Sequence, residues 1–177
     1  MKKKLVMIGL PLIVLILLIY YFLGGFNQVE IQRVTVDDYY FTGHLYRGPY
    51  QEEELKSQFF QMHEYVETGT LNGIVGVLNY DIENLSEDSI QQFIGVILDE
   101  KTQQIPTGLE QDTVFANEAL RAVIRAHPIV MPNPDQVVDM IRSQARDRGI
   151  SLKEFSIEQY VGEQEIWVDI PLDITLN

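Results

Sequence analysis

One order of elements occurs twice in this chain, and the repeat restricts the fold more than any other feature. Pro49 recurs as Pro128, Gly69 as Gly149 and Tyr80 as Tyr160, spacings of 79 to 80 residues. Around the first set, β-branched alternation predicts strands over 28–36 and 39–47. Leu55, Phe59, Met62 and Val66 at helical spacing predict a helix over 51–68, and two further strands follow at 73–80 and 92–98. Around the second set, a strand over 119–126 precedes a helix over 133–148, with Asn133 as N-cap and Pro134 at the first helical position. A hairpin over 155–161 and 165–171 closes it. A constant period with a matching element order is the mark of duplication. The expected fold class is α+β, a duplicated β-α-β-β domain with a central cleft, its units about 28–100 and 112–172. Loop Lys101 to Asp112 joins them.

Alternation along the strands assigns the faces. In the last hairpin, Phe155, Ile157 and Val161 with Ile166, Val168 and Ile170 suit a core. Glu158, Tyr160, Trp167 and Asp169 fall on the other side. Carried across the repeat, the alternation sends Leu45 and Ile124 under the helices. Tyr46, Arg125, Tyr80 and Tyr160 go to the cleft. Glu158 stands where the repeat mate is Leu78, so one carboxylate breaks the symmetry. The candidate ligand-binding residues are therefore Glu158, Tyr160, Tyr80, Tyr46, Trp167 and Arg125, with a cation drawn to the carboxylate and to the aromatic ring faces. The plainer alternatives are a solvated Glu158, or an ion pair between Glu158 and Arg125, among ordinary core aromatics.

The N-terminus reads differently. Leu5 to Leu23 is nineteen residues without a charge, long enough as a helix for a hydrocarbon core of roughly 30 Å. Three lysines precede it, and Arg33 is the one basic residue in the twenty that follow. The expectation is an uncleaved signal anchor over 1–27 with a transmembrane helix at about 5–23, a cytoplasmic N-terminus and an extracytoplasmic domain over 28–177. The lipid bilayer would then be a partner. The whole chain carries 26 acidic against 13 basic residues, a formal charge of −13, which disfavours nucleic acid. It has no cysteine, its three histidines lack ligand spacing, and no Gly-rich phosphate loop is present, so neither metal nor cofactor is expected.

Several short motifs carry a family resemblance: Leu45-Tyr46-Arg47-Gly48-Pro49-Tyr50, the Tyr80-Asp81 strand end, Ile157-Glu158-Gln159-Tyr160 and the closing Ile170-Pro171-Leu172. In their order and spacing they resemble the GyrI-like small-molecule-binding domain, over roughly 28–172, in a membrane-anchored form. The resemblance implies two β-α-β-β units around a cleft that takes bulky cationic or aromatic compounds, with Glu158 reaching the pocket centre. Regulators of that family carry a DNA-binding helix-turn-helix, and here an apolar segment stands in its place. Three functions follow as expectations. The first is a ligand-binding module with Glu158 as counter-charge. The second is a hydrolase of electrophilic compounds, with Glu158 as base and Tyr80 or Tyr160 as proton donor. The third is a protein-binding adaptor. The balance of residues leans away from an enzyme.

Overall fold

A computed structural model describes residues 13–25, 27, 29–81, 89–101, 103–127 and 129–173. Helix α1 is described over residues 13–22. The elements after it are β1 (Glu30–Thr35), β2 (Tyr39–Pro49), α2 (Glu52–Glu67), β3 (Gly73–Tyr80), β4 (Ser89–Leu98), β5 (Glu110–Val114), β6 (Glu118–Arg125), α3 (Pro134–Asp147), β7 (Phe155–Gly162) and β8 (Glu165–Pro171). Both long helices end as their glycines foretell. Gly69 and Gly149 take φ of +70° and +66° just past the last turn, the left-handed conformation that glycine adopts without steric penalty. At the start of α3 the Asn133 side chain accepts from the Asp135 amide at 3.0 Å, satisfying one otherwise unpaired donor.

All eight strands join one antiparallel sheet in the order β1-β6-β8-β7-β3-β4-β2-β5. The two halves meet at the β3–β7 seam. Each half lends its first strand to the far edge of the other: β1 pairs with β6, and β5 pairs with β2. The unit is therefore β-β-α-β-β, and β5 replaces part of the expected joining loop. Its sequence, EQDTV, is short and polar because an edge strand is held from one side only and needs no apolar face.

The sheet is strongly curled. Three strands stand between β8 and β2, which a flat sheet would hold about 19 Å apart at roughly 4.8 Å per step. Yet the Tyr39 hydroxyl of β2 donates to Asp169 of β8 at 2.6 Å. Close approach of the bare backbones of Gly43 and Gly95 accommodates the curl, since a Cβ on Gly43 would lie 2.1 Å from the Ile94 carbonyl oxygen. The concave side is closed by its own core of Tyr39, Phe41, Leu78, Phe93, Val114 and Ile157. On the convex side, α2 packs over β2, β4 and β3, burying Leu55 and Met62 against Val75, Val77 and Val96. There, α3 packs over β6 and β8, burying Val137, Ile141 and Ala145 against Leu120, Val168 and Ile170.

The N-terminal expectation is corrected. Residues 13–22 are helical, and residues 23–25 form a turn. The turn is tied back to the sheet, with the Leu23 carbonyl accepting from the His127 amide at 2.9 Å and the Asn27 amide donating to the Arg125 carbonyl at 2.7 Å. Residues 1–12 lie outside the described residues. Among the described residues no helix is long and apolar enough to cross a membrane. The transmembrane helix, the signal anchor, the single-pass topology, the extracytoplasmic placement of the domain and the bilayer partner are withdrawn with it.

Candidate functional site

Strands β3 and β7 form the floor of a valley between the two helices. Glu158 lies on this floor, opposite Val77 and Val168, and shares their face. It is 8% exposed, and both of its oxygens are held by neutral donors. Asn79 Nδ2 donates to Oε1 at 2.7 Å, and the Tyr160 hydroxyl donates to Oε2 at 2.9 Å. Gln92 Nε2 donates in turn to Asn79 Oδ1 at 2.6 Å, which fixes the amide with its nitrogen towards the carboxylate. The Phe59 ring of α2 meets the Tyr160 ring edge-on at 4.7 Å between centroids, so α2 holds the tyrosine in place.

Burial pushes the Glu158 carboxyl above the usual carboxylate range. The bonds from Tyr160 and Asn79 pull it partly back, and the charge of Asp135 adds to the rise. Burial, together with the charge and hydrogen bond of Glu158, also raises the Tyr160 hydroxyl. No cation among the described residues meets Glu158. Beside it a groove of about 520 Å³ runs between α3 and the ends of β3 and β4, bordered by Asn79, Ser156, Gln92, Asp135, Val138 and Arg142.

The other expected site residues are dispersed. The hairpin register sets Glu158 against Val168 and Ile157 against Asp169, so Trp167 and Asp169 lie on the concave side, opposite to Glu158. A bulge between Tyr160 and Gly162 breaks the simple alternation of this hairpin. Tyr46 packs on the convex side in the α2 core, its hydroxyl bonded to the Pro49 carbonyl. Arg125 is exposed and pairs with Glu165 at 2.8 Å, not with Glu158. Tyr80 borders the groove, but its hydroxyl donates to Asp112 at 2.9 Å on the concave side. Leu78 also points into the concave core, so spacing by 80 pairs Glu158 with a residue of the other face. A change of one residue in the repeat offset exchanges the two faces of a strand, which is why Tyr46 and Arg125 were placed together.

A second polar cluster lies on the concave side. Asp169 is fully buried and accepts four hydrogen bonds: two from Arg121 at 2.8 and 2.7 Å, one from Tyr39 at 2.6 Å and one from Gln159 at 2.8 Å. The Arg121 guanidinium also lies 4.1 Å from the centre of the Trp167 ring. Asn79, Gln92, Tyr39 and Arg121 were not anticipated. An amide diagonal to an acid on the neighbouring strand and on the same face, once the register is known, is the signal that would have identified Asn79.

This is an α+β fold in which a curled eight-stranded sheet carries two helices on its convex side. No family model matches the sequence, and no curated protein matches it. Among solved structures, the fold is similar to the EcmrR C-terminal domain, with a TM-score of 0.58 at 12% identity over 82% of this chain and 98% of that one. It is similar also to SAV2435 bound to tetraphenylphosphonium, with a TM-score of 0.54 at 11% identity over 82% and 94%. An uncharacterized conserved protein from Listeria innocua gives 0.51 at 10% identity over 81% and 92%. The first two likenesses are consistent with the GyrI-like fold that the motifs imply.

Proposed function

We propose that the chain is a GyrI-like small-molecule-binding module whose groove takes a hydrophobic cation, with Glu158 as its counter-charge. One observation carries the reading. A carboxylate more than nine-tenths buried has only neutral donors for company and opens on a groove. A buried charge without a partner is costly, and a ligand cation supplies the partner that the fold omits. Tyr160, braced by Phe59 of α2, holds the carboxylate in place beside the groove. The similar fold of SAV2435, solved with tetraphenylphosphonium, supports the same ligand class.

The test is calorimetric titration of the full 177-residue chain with tetraphenylphosphonium. Saturable binding is expected. Absence of binding up to about 1 mM, the weak end of specific recognition, would overturn the reading.

A further inference from the structure

The groove carries negative charge at its rim as well as at its floor. Asp135 and Asp139 stand one turn apart on α3, both exposed and both bordering the cavity that Glu158 opens on. Like charges at this spacing disfavour a helix. Asp135 is offset by its place in the first turn, where the helix dipole favours an anion, but Asp139 lies beyond that turn. The described lining holds one cation, Arg142, and its guanidinium is taken by Asp81 at 3.2 Å. Neither Asp135 nor Asp139 forms an ion pair among the described residues, nor does Glu158. One cavity thus presents two separate centres of unneutralised charge, one deep and buried, the other shallow and wet.

A ligand with a single positive charge answers only one of them. Resting on the cation-binding reading above, we propose that the groove selects elongated dications: an aromatic or bulky apolar cation seated at Glu158, joined by a hydrocarbon spacer to a second cation at Asp135 and Asp139. Val138, between the two aspartates on α3, gives the spacer an apolar strip. Arg142, held aside by Asp81, leaves the rim acids free to act.

Two probes decide the matter, both alkyltriphenylphosphonium ions. One ends in trimethylammonium and the other in tert-butyl, which has the same shape without the charge. Titrated at low salt into the full chain, the dication should bind about five- to tenfold tighter, the sum expected of two exposed ion pairs. The advantage of the dication over the tert-butyl compound, both measured on the same protein, should vanish in the Asp135→Asn/Asp139→Asn double variant and shrink with added salt. The Asn133 cap and the buried face of Val137, Ile141 and Ala145 are untouched in that variant, and circular dichroism checks that α3 persists. An advantage that survives the double substitution, or none in the wild-type chain, overturns the proposal. If the monocation still binds through Glu158 while the two probes are equal, only the dication inference falls. If neither probe binds, the cation site falls with it.

Discussion

Replacing Glu158 by glutamine separates charge from shape at the centre of the groove. The amide keeps the length and planarity of the carboxylate, and its oxygen can still accept from Asn79, now at 2.7 Å. At about 4 Å and an effective dielectric constant near 20, a ligand cation and a carboxylate attract by roughly 4 kcal/mol. Part of that is returned as desolvation, and removing one member of a buried charge pair costs roughly 2–3 kcal/mol of affinity, or about 30- to 140-fold. Tetraphenylphosphonium should lose that much in Glu158→Gln, and tetraphenylborate, alike in shape and opposite in charge, should not bind the wild-type chain at all. Stability should move the other way. Burial raises the folded-state pKa of Glu158 above its unfolded value, so the folded chain holds this proton more firmly. Its destabilising charge is absent below the unfolded value and fully present above the raised folded one. Wild-type stability should therefore fall through that window as pH rises. The variant should escape the fall, less about 1 kcal/mol because the amide nitrogen that replaces one carboxylate oxygen cannot accept from Tyr160. Urea denaturation across pH 4 to 8, alongside calorimetry, measures both effects (the range brackets ordinary to strongly raised carboxyls, roughly). Equal tetraphenylphosphonium affinity in the two proteins would refute the reasoning, as would a variant that loses stability at neutral pH while binding is kept.

The remaining expectations concern the groups around these two acids. Tyr160→Phe removes a bond that lowers the Glu158 pKa, so the pH midpoint for cation binding should move upward, and a midpoint that stays or falls would contradict the assignment. Asp169→Asn leaves Arg121 without its charge partner and should cost about 3 kcal/mol or more in urea denaturation, with little effect on cation affinity because the two acids face opposite sides. Gly43→Ala drives a Cβ against the Ile94 carbonyl and should destabilise by roughly 3 kcal/mol. Gly149→Ala, in open space but at φ +66°, should cost only about 1–2 kcal/mol.

The parts of the fold that rest on local chemistry were legible. Helical spacing with caps located α2 and α3 to within a residue or two, and the hairpin ends agree with their turn residues. Two kinds of information were not local. The polar strand β5 exists because the other half offers an open edge at β2, a fact of tertiary pairing that EQDTV does not announce. The faces of the repeat depend on parity, and single-residue differences between the halves undo any transfer by a fixed offset. Arg125 was grouped with Tyr46 for that reason, and Trp167 with Glu158 because the bulge after Tyr160 shifts the alternation of the hairpin. At the N-terminus, hydropathy read the nineteen-residue run correctly as apolar, but the turn at 23–25 and its bonds to His127 and Arg125 depend on the folded sheet.

The two buried acids show why one is a binding group and the other a strut. Asp169 and Glu158 sit on neighbouring strands, β8 and β7, pointing to opposite sides of one sheet. A carboxylate offers about four acceptor positions. Asp169 fills four, two of them from a guanidinium, so its charge is neutralised inside the fold and it joins the first half of the chain to the second through Tyr39. Glu158 fills two, neither from a cation, and the fold bears the resulting cost where the groove beside α3 reaches the seam between the halves. Curling of the sheet gathers the Asp169 network and an aromatic core on the concave side. Among the described residues, the acid on the convex side is the one of these two that lacks a cationic partner.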